Sequence, residues 1–168
     1  MGTHFEGPEV QRIALDLFIK LARASESFSG RVDVPILEAG LTPTQFGVLE
    51  TLMHLGPLSP SQLAAKHLKS RNNLSVVIEN LDRDGLIERV RCPKDRRVQY
   101  IHLTQKGRAR IEELFPRFAR IVAQEATVLT AEEQRELCRL LKILGTGVAQ
   151  QTQIGATGPG QEPNSPDD

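Results

Sequence analysis

At 168 residues, with 21 basic and 21 acidic side chains, the chain suits one domain or one domain with extra helices, and its neutral total charge points to no partner. No apolar run approaches the roughly 20 residues that cross a bilayer, and two cysteines are too few for a disulfide scaffold. Tryptophan is absent and aromatic residues make up 4%, so the core must be aliphatic, as is ordinary for a helical protein.

Helix punctuation is clear along the chain. Gly7-Pro8-Glu9 opens a first helix, with proline near the first turn and a glutamate at the positive end of the helix dipole. Val10, Ile13, Leu17, Leu21 and Ala24 recur on one face, and Asp16 pairs with Lys20 on another. A short helix follows around Val34-Pro35-Ile36-Leu37. Thr42-Pro43-Thr44-Gln45 joins a capping residue, a proline at the first helical position and a glutamine at the third. Its apolar face is Phe46, Leu49, Leu52 and Met53, and Gly56-Pro57 ends it. Ser59-Pro60-Ser61-Gln62 repeats the start signal for a helix with Leu63, Ala64 and Leu68 inward. A third helix of this group begins near Ser70, carries Leu74, Val77, Ile78 and Leu81, and is closed by Gly85.

The period then changes from helix to strand. Leu86 to Arg91 alternates, Cys92-Pro93-Lys94-Asp95 reads as a turn, and Val98 to Leu103 is a β-rich return strand. Thr104 caps a helix running past Ile111, Leu114, Phe118, Ile121 and Val122, with a kink expected at Pro116. Thr130-Ala131-Glu132-Glu133 is a capping box for a last helix with Leu137, Leu140, Leu141, Leu144 and Val148 as its stripe. The residues from 151 to 168, rich in glycine and proline, cannot bury enough apolar surface to offset their ordering entropy and are expected to be disordered.

Charge is segregated along this order. Lys66 to Arg117 holds 13 basic and 7 acidic side chains, and the remainder holds 8 basic and 14 acidic. A chain that is neutral in sum but basic in its middle has an electrostatic face. Three helices followed by a β-hairpin describe a winged helix-turn-helix, whose third helix buries one stripe and offers a polar face to a groove. Ser70, Arg71, Asn72, Asn73 and Ser75 cluster near the start of that helix and can all donate hydrogen bonds, as phosphate and base-edge contacts require. Capping and solvation of the helix would explain the same residues. The hairpin tip is harder to explain as a solvated turn: Lys94, Asp95, Arg96 and Arg97 crowd together just after Arg89 and Arg91. A turn does not need three cations, whereas a minor groove or a phosphate backbone does, and Asp95 can hold a guanidinium in one orientation.

These residues carry a family resemblance. Leu63-Ala64-Ala65, Ser70, and Leu81-Asp82-Arg83-Asp84-Gly85-Leu86-Ile87-Glu88-Arg89, then Asp95-Arg96-Arg97 and Leu103-Thr104-Gln105-Lys106-Gly107, resemble the MarR family of bacterial transcriptional regulators. The similarity is close from about Leu41 to Arg110 and extends to the flanking helices by placement alone. It implies a mainly α fold with a small β-hairpin: a winged helix-turn-helix over residues 41–103, with dimerisation helices over 8–40 and 104–150. It further implies a homodimer, a recognition helix in the major groove of double-stranded DNA, and Arg97 in the minor groove. Family members mostly repress genes and release DNA on binding phenolic or aromatic molecules or on cysteine oxidation. Val76 departs from the polar or basic residue often found there, which bears on base preference.

The flanking stripes point to dimerisation independently, since isolated amphipathic helices must bury their apolar face, although pairing within one chain would also serve. Two recognition helices on one DNA face then imply a pseudo-palindromic operator. The N-terminus lacks a signal peptide, so a cytoplasmic location with reduced thiols is expected. Cys92, beside Arg91 and Lys94, is the candidate for a redox-responsive alternative, while Cys138, next to Leu140 and Leu141, is expected to be packed. His4, His54, His67 and His102 show no metal-ligand spacing, no catalytic motif is present, and no cofactor is implied. A small-molecule effector would sit among the first helix, Phe46 to Met53 and the helix after the hairpin, with Arg12, Arg23 or Arg31 available to pair an anion. The rival class is a winged-helix module for protein–protein contact, which the basic wing and polar helix disfavour.

Overall fold

The computed structural model describes residues 4–67, 71–91 and 98–155, and all their side chains except those of 67, 71–73 and 148–155. The chain divides into two compact units, one ending at Glu125 and one beginning at Ala126.

In the first unit, helix α1 spans Glu9–Val32 and the short α2 spans Val34–Glu38. Helices α3 (Pro43–Leu55), α4 (Pro60–His67) and α5 (Arg71–Arg83) follow, then strands β1 (Ile87–Arg91) and β2 (Gln99–Leu103), then α6 (Gln105–Glu125). The starts of α3 and α4 are set by the capping chemistry that the sequence announces. Thr42 Oγ1 accepts from Gln45 N–H at 3.2 Å while Thr42 N–H donates to Gln45 Oε1 at 2.8 Å. Ser59 and Gln62 repeat that reciprocal pair at 3.3 and 2.9 Å. Each satisfies amide groups that a helix start leaves without partners.

The hairpin is antiparallel, with Ile87 opposite Leu103 and Arg91 opposite Gln99. A third segment joins it: Ile101 N–H donates to Leu58 carbonyl at 2.8 Å, and Leu58 N–H returns the bond at 3.3 Å. The link between α3 and α4 is thereby stitched to the wing at Leu58, which the sequence did not announce. The core beneath is aliphatic apart from Phe46, and Val48, Leu49, Leu63, Leu81, Ile101 and Ile111 are fully buried in it. Helix α6 packs against α1, α2 and α3. It runs through Pro116 as one element to Glu125, although proline there withholds an amide from the carbonyl of Glu112.

The apolar stripe of α1 is not buried. Val10, Ile13, Leu17 and Phe18 are all exposed, and Val10 is 79% exposed.

The second unit holds a 3-10 turn (Ala126–Val128) and helix α7 (Ala131–Gly155). Thr130 N–H donates to Glu133 Oε2 at 2.8 Å, and Glu133 N–H donates to Thr130 Oγ1 at 3.3 Å, completing the anticipated box. Leu137, Leu140, Leu141, Ile143 and Leu144 are exposed, and so is Cys138. The expectation of a packed Cys138 therefore fails, because the turn and helix of this unit give the apolar stripe nothing to pack against. The helix extends to Gly155, into the segment expected to be disordered from 151; residues 156–168 lie outside the described part of the chain.

Candidate nucleic-acid interface

Helix α5 divides cleanly between an inner and an outer face. Leu74, Ile78 and Leu81 are buried at 1%, 2% and 0% exposure, following the three- and four-residue steps of one helical stripe. Ser75, Val76, Glu79 and Arg83 are exposed on the other side. Of the residues expected to read DNA from this helix, Ser75 is therefore outward. Arg71, Asn72 and Asn73 lie in its first turn, with side chains outside the described set, and Ser70 lies outside it altogether. Val76 places an apolar group on the outer face, which suits contact with a thymine methyl rather than a hydrogen bond to a base edge.

Ser75 borders a concavity of about 540 Å³ formed by the start of α4, α5 and the start of β2. Ser59, Ser61 and Gln99 share its rim, and Leu74 and Ile78 contribute apolar lining. Ser59 Oγ and Ser61 Oγ are 3.0 Å apart. From the sequence alone Ser59 has only a capping role, and neither Ser61 nor Gln99 stands out. The first two could have been found, since Ser59-Pro60-Ser61-Gln62 puts two hydroxyls beside the amides of a helix start, where anions are favoured.

The wing strand leaves its cations accessible to solvent. Arg89 and Arg91 are exposed on β1, and Arg91 stands opposite Gln99, which lines the concavity beside Ser75. The register thus brings Arg91 to the α5 side of the wing. Arg89 is differently engaged: its Nε donates to Asp82 Oδ2 at 3.1 Å, across to the last turn of α5. Lys94, Asp95, Arg96 and Arg97, with Cys92, lie outside the described residues.

Other candidates change role. Arg31, one of the arginines considered for an anionic ligand, ion-pairs with Glu125 and donates to Ser27 carbonyl at 2.9 Å, binding the end of α1 to the end of α6. Phe46 and Phe118 pack with ring centroids 4.7 Å apart, and His54 meets Phe115 edge-on at 5.0 Å. Aromatic contacts therefore link α3 with α6 where an effector was expected. Among the described residues, no group of three histidines, cysteines or carboxylates could hold a metal ion, and no helix is long and apolar enough to cross a membrane.

Comparison with known proteins agrees with this arrangement. The MarR family model matches residues 39–98, from the end of α2 into the wing. The Bacillus subtilis HTH-type transcriptional regulator YkoM is 37% identical over 145 residues, covering 86% of this chain and 94% of that protein. A probable transcriptional regulator from Pseudomonas aeruginosa has a similar crystal structure, at 31% identity and TM-score 0.71, covering 79% of this chain and 99% of that one. Bordetella bronchiseptica BpsR, whose DNA binding is regulated by 6-hydroxynicotinic acid, is 27% identical with TM-score 0.70, covering 86% and 98%. With α5 split into buried and outward faces, a two-stranded wing beside it, and similarity reaching beyond both into the flanking helices, the chain belongs to the MarR family of DNA-binding transcriptional regulators.

Proposed function

We propose that the protein is a homodimeric repressor that binds a pseudo-palindromic operator in double-stranded DNA and is released by a small aromatic anion. The observation that carries this reading is the outward face of α5 beside the exposed Arg91 of β1, within a segment that holds nearly twice as many basic as acidic residues. Residues 41–103 act as the DNA-binding unit. Ser70, Arg71, Asn72, Asn73 and Ser75 approach the major groove, while Arg91, Lys94, Arg96 and Arg97 approach phosphates and the minor groove, with Asp95 orienting an arginine.

The flanking segments, 8–40 and 104–150, supply the dimer. Their exposed stripes, Val10, Ile13 and Leu17 on α1 and Leu137, Leu141 and Leu144 on α7, support this, because exposed apolar surface of that extent is unfavourable in water. The aromatic-anion class of effector draws support from BpsR and its response to 6-hydroxynicotinic acid. Such a ligand releases DNA only by preferring a spacing of the recognition helices that does not fit the operator.

Binding of wild type and Arg97→Ala to operator and scrambled DNA at two salt concentrations tests the reading. The variant should lose about 1–3 kcal/mol of operator affinity and about one phosphate equivalent of salt dependence. Unchanged affinity and slope would reduce the wing to a solvated turn. For the effector, 6-hydroxynicotinate and salicylate should raise the melting temperature and weaken operator binding; no change in either would remove the aromatic-anion class.

A further inference from the structure

The turn that follows α5 is tied to the start of α6 through three consecutive carbonyls, those of Asp84, Gly85 and Leu86. Gly85, at φ +68°, ends α5: its N–H donates to Asp82 carbonyl and Leu86 N–H donates to Leu81 carbonyl, both at 2.9 Å. The carbonyls of Asp84, Gly85 and Leu86 are all taken by residues 104 and 106. Thr104 Oγ1 donates to Gly85 carbonyl at 2.7 Å, Lys106 Nζ donates to Asp84 carbonyl at 2.8 Å, and Thr104 N–H donates to Leu86 carbonyl at 3.2 Å. The same Thr104 hydroxyl accepts from Gly107 N–H at 3.0 Å and so caps α6. Gly107 itself is pressed on the backbone just before β1, since a Cβ there would lie 1.8 Å from the Leu86 oxygen. One hydroxyl thus caps α6 and binds the turn that ends α5, and one missing methyl group lets α6 meet the backbone at Leu86.

We propose that Thr104, Lys106 and Gly107 are positioning residues for DNA recognition, fixing the angle between α5 and α6 and hence the spacing between the two recognition helices. The spacing rests on the dimeric DNA-binding reading above; the joint itself lies within one unit. Leverage makes the angle matter. Helix α5 has 13 residues, or about 20 Å at the usual rise, and its base-reading end is the one far from Gly85. A tilt of about 10° at the joint moves that end by about 3.4 Å, the rise of one base pair.

The test uses the full chain and duplexes that wild type selects from a randomised pool, each remade with one base pair added to or removed from its centre. Thr104→Val removes both hydroxyl bonds without changing size, Thr104→Ser retains them, Gly107→Ala forces a methyl against Leu86, and Lys106→Met removes the ammonium bond at an exposed position. Binding is measured at a temperature where circular dichroism shows each variant folded and light scattering gives the wild-type mass. Thr104→Val and Gly107→Ala should lose about tenfold in affinity for the selected spacing and should flatten or shift the spacing preference, with Lys106→Met doing so about threefold. Thr104→Ser should match wild type. Lower melting temperatures with the wild-type spacing preference intact would make the joint merely structural and overturn the proposal. Should the valine and alanine variants fail to fold, an unchanged spacing preference in Lys106→Met overturns it alone. A wild type that selects no sequence from the pool would instead overturn the DNA-binding dimer on which the spacing depends.

Discussion

Arg89 Nε donates to Asp82 Oδ2 at 3.1 Å, joining the first strand of the wing to the last turn of the recognition helix. Both side chains remain more than a third exposed, so the pair contributes little to stability. Its consequence is electrostatic. A guanidinium whose charge is already matched by a carboxylate attracts phosphate less than Arg91, which is exposed two residues further along the same strand.

Asp82→Asn should therefore strengthen binding to scrambled DNA and steepen its salt dependence by about one phosphate equivalent per protomer, by releasing Arg89. Arg89→Gln should weaken binding less than Arg91→Gln. Titrations of all three variants at several salt concentrations check the order, and an equal loss at positions 89 and 91 would contradict it.

Leu81 is fully buried on the inner face of α5, beneath the outward face that includes Ser75 and Val76. Leu81→Ala should cost about 2–5 kcal/mol of folding stability through lost transfer energy and the cavity left behind. Chemical denaturation gives the number directly. A loss below about 1 kcal/mol would mean that the site collapses around the smaller residue.

Leu141 lies in the centre of the exposed stripe of α7, four residues after Leu137 and three before Leu144. A carboxylate buried there in a dimer would lack a partner, so Leu141→Asp should give a monomer by light scattering and lose operator binding. The melting of the α3–α5 core should survive. A dimeric Leu141→Asp would place the interface elsewhere.

The start of α7 should respond to acid. Glu133 accepts from Thr130 N–H and, secondarily, from the Thr130 hydroxyl, and these bonds hold its carboxyl below the ordinary glutamate value. A lowered folded-state value means that the stabilisation is complete above the unfolded glutamate value and is lost as pH falls through the folded one. Far-UV ellipticity between about pH 6 and pH 3 should therefore decline in wild type relative to Glu133→Gln, which keeps an accepting oxygen but does not titrate in that range. Parallel curves for the two proteins would show that the capping carboxylate has no such effect.

The sequence by itself determined the helix starts at Thr42, Ser59 and Thr130, the stop at Gly85, the two strands of the wing and the basic middle of the chain. Each depends on groups within a few residues of one another, where capping geometry, a positive φ or the two-residue period of a strand leaves little choice. Only the tertiary structure decided the rest. It matched Arg89 to Asp82, tied Thr104 to Gly85 across 19 residues and Arg31 to Glu125 across 94, set Gly107 against Leu86, and left Cys138 exposed on α7. Those partners meet because packed helices and strands bring distant backbone and side-chain groups together, and no local pattern encodes which groups will meet.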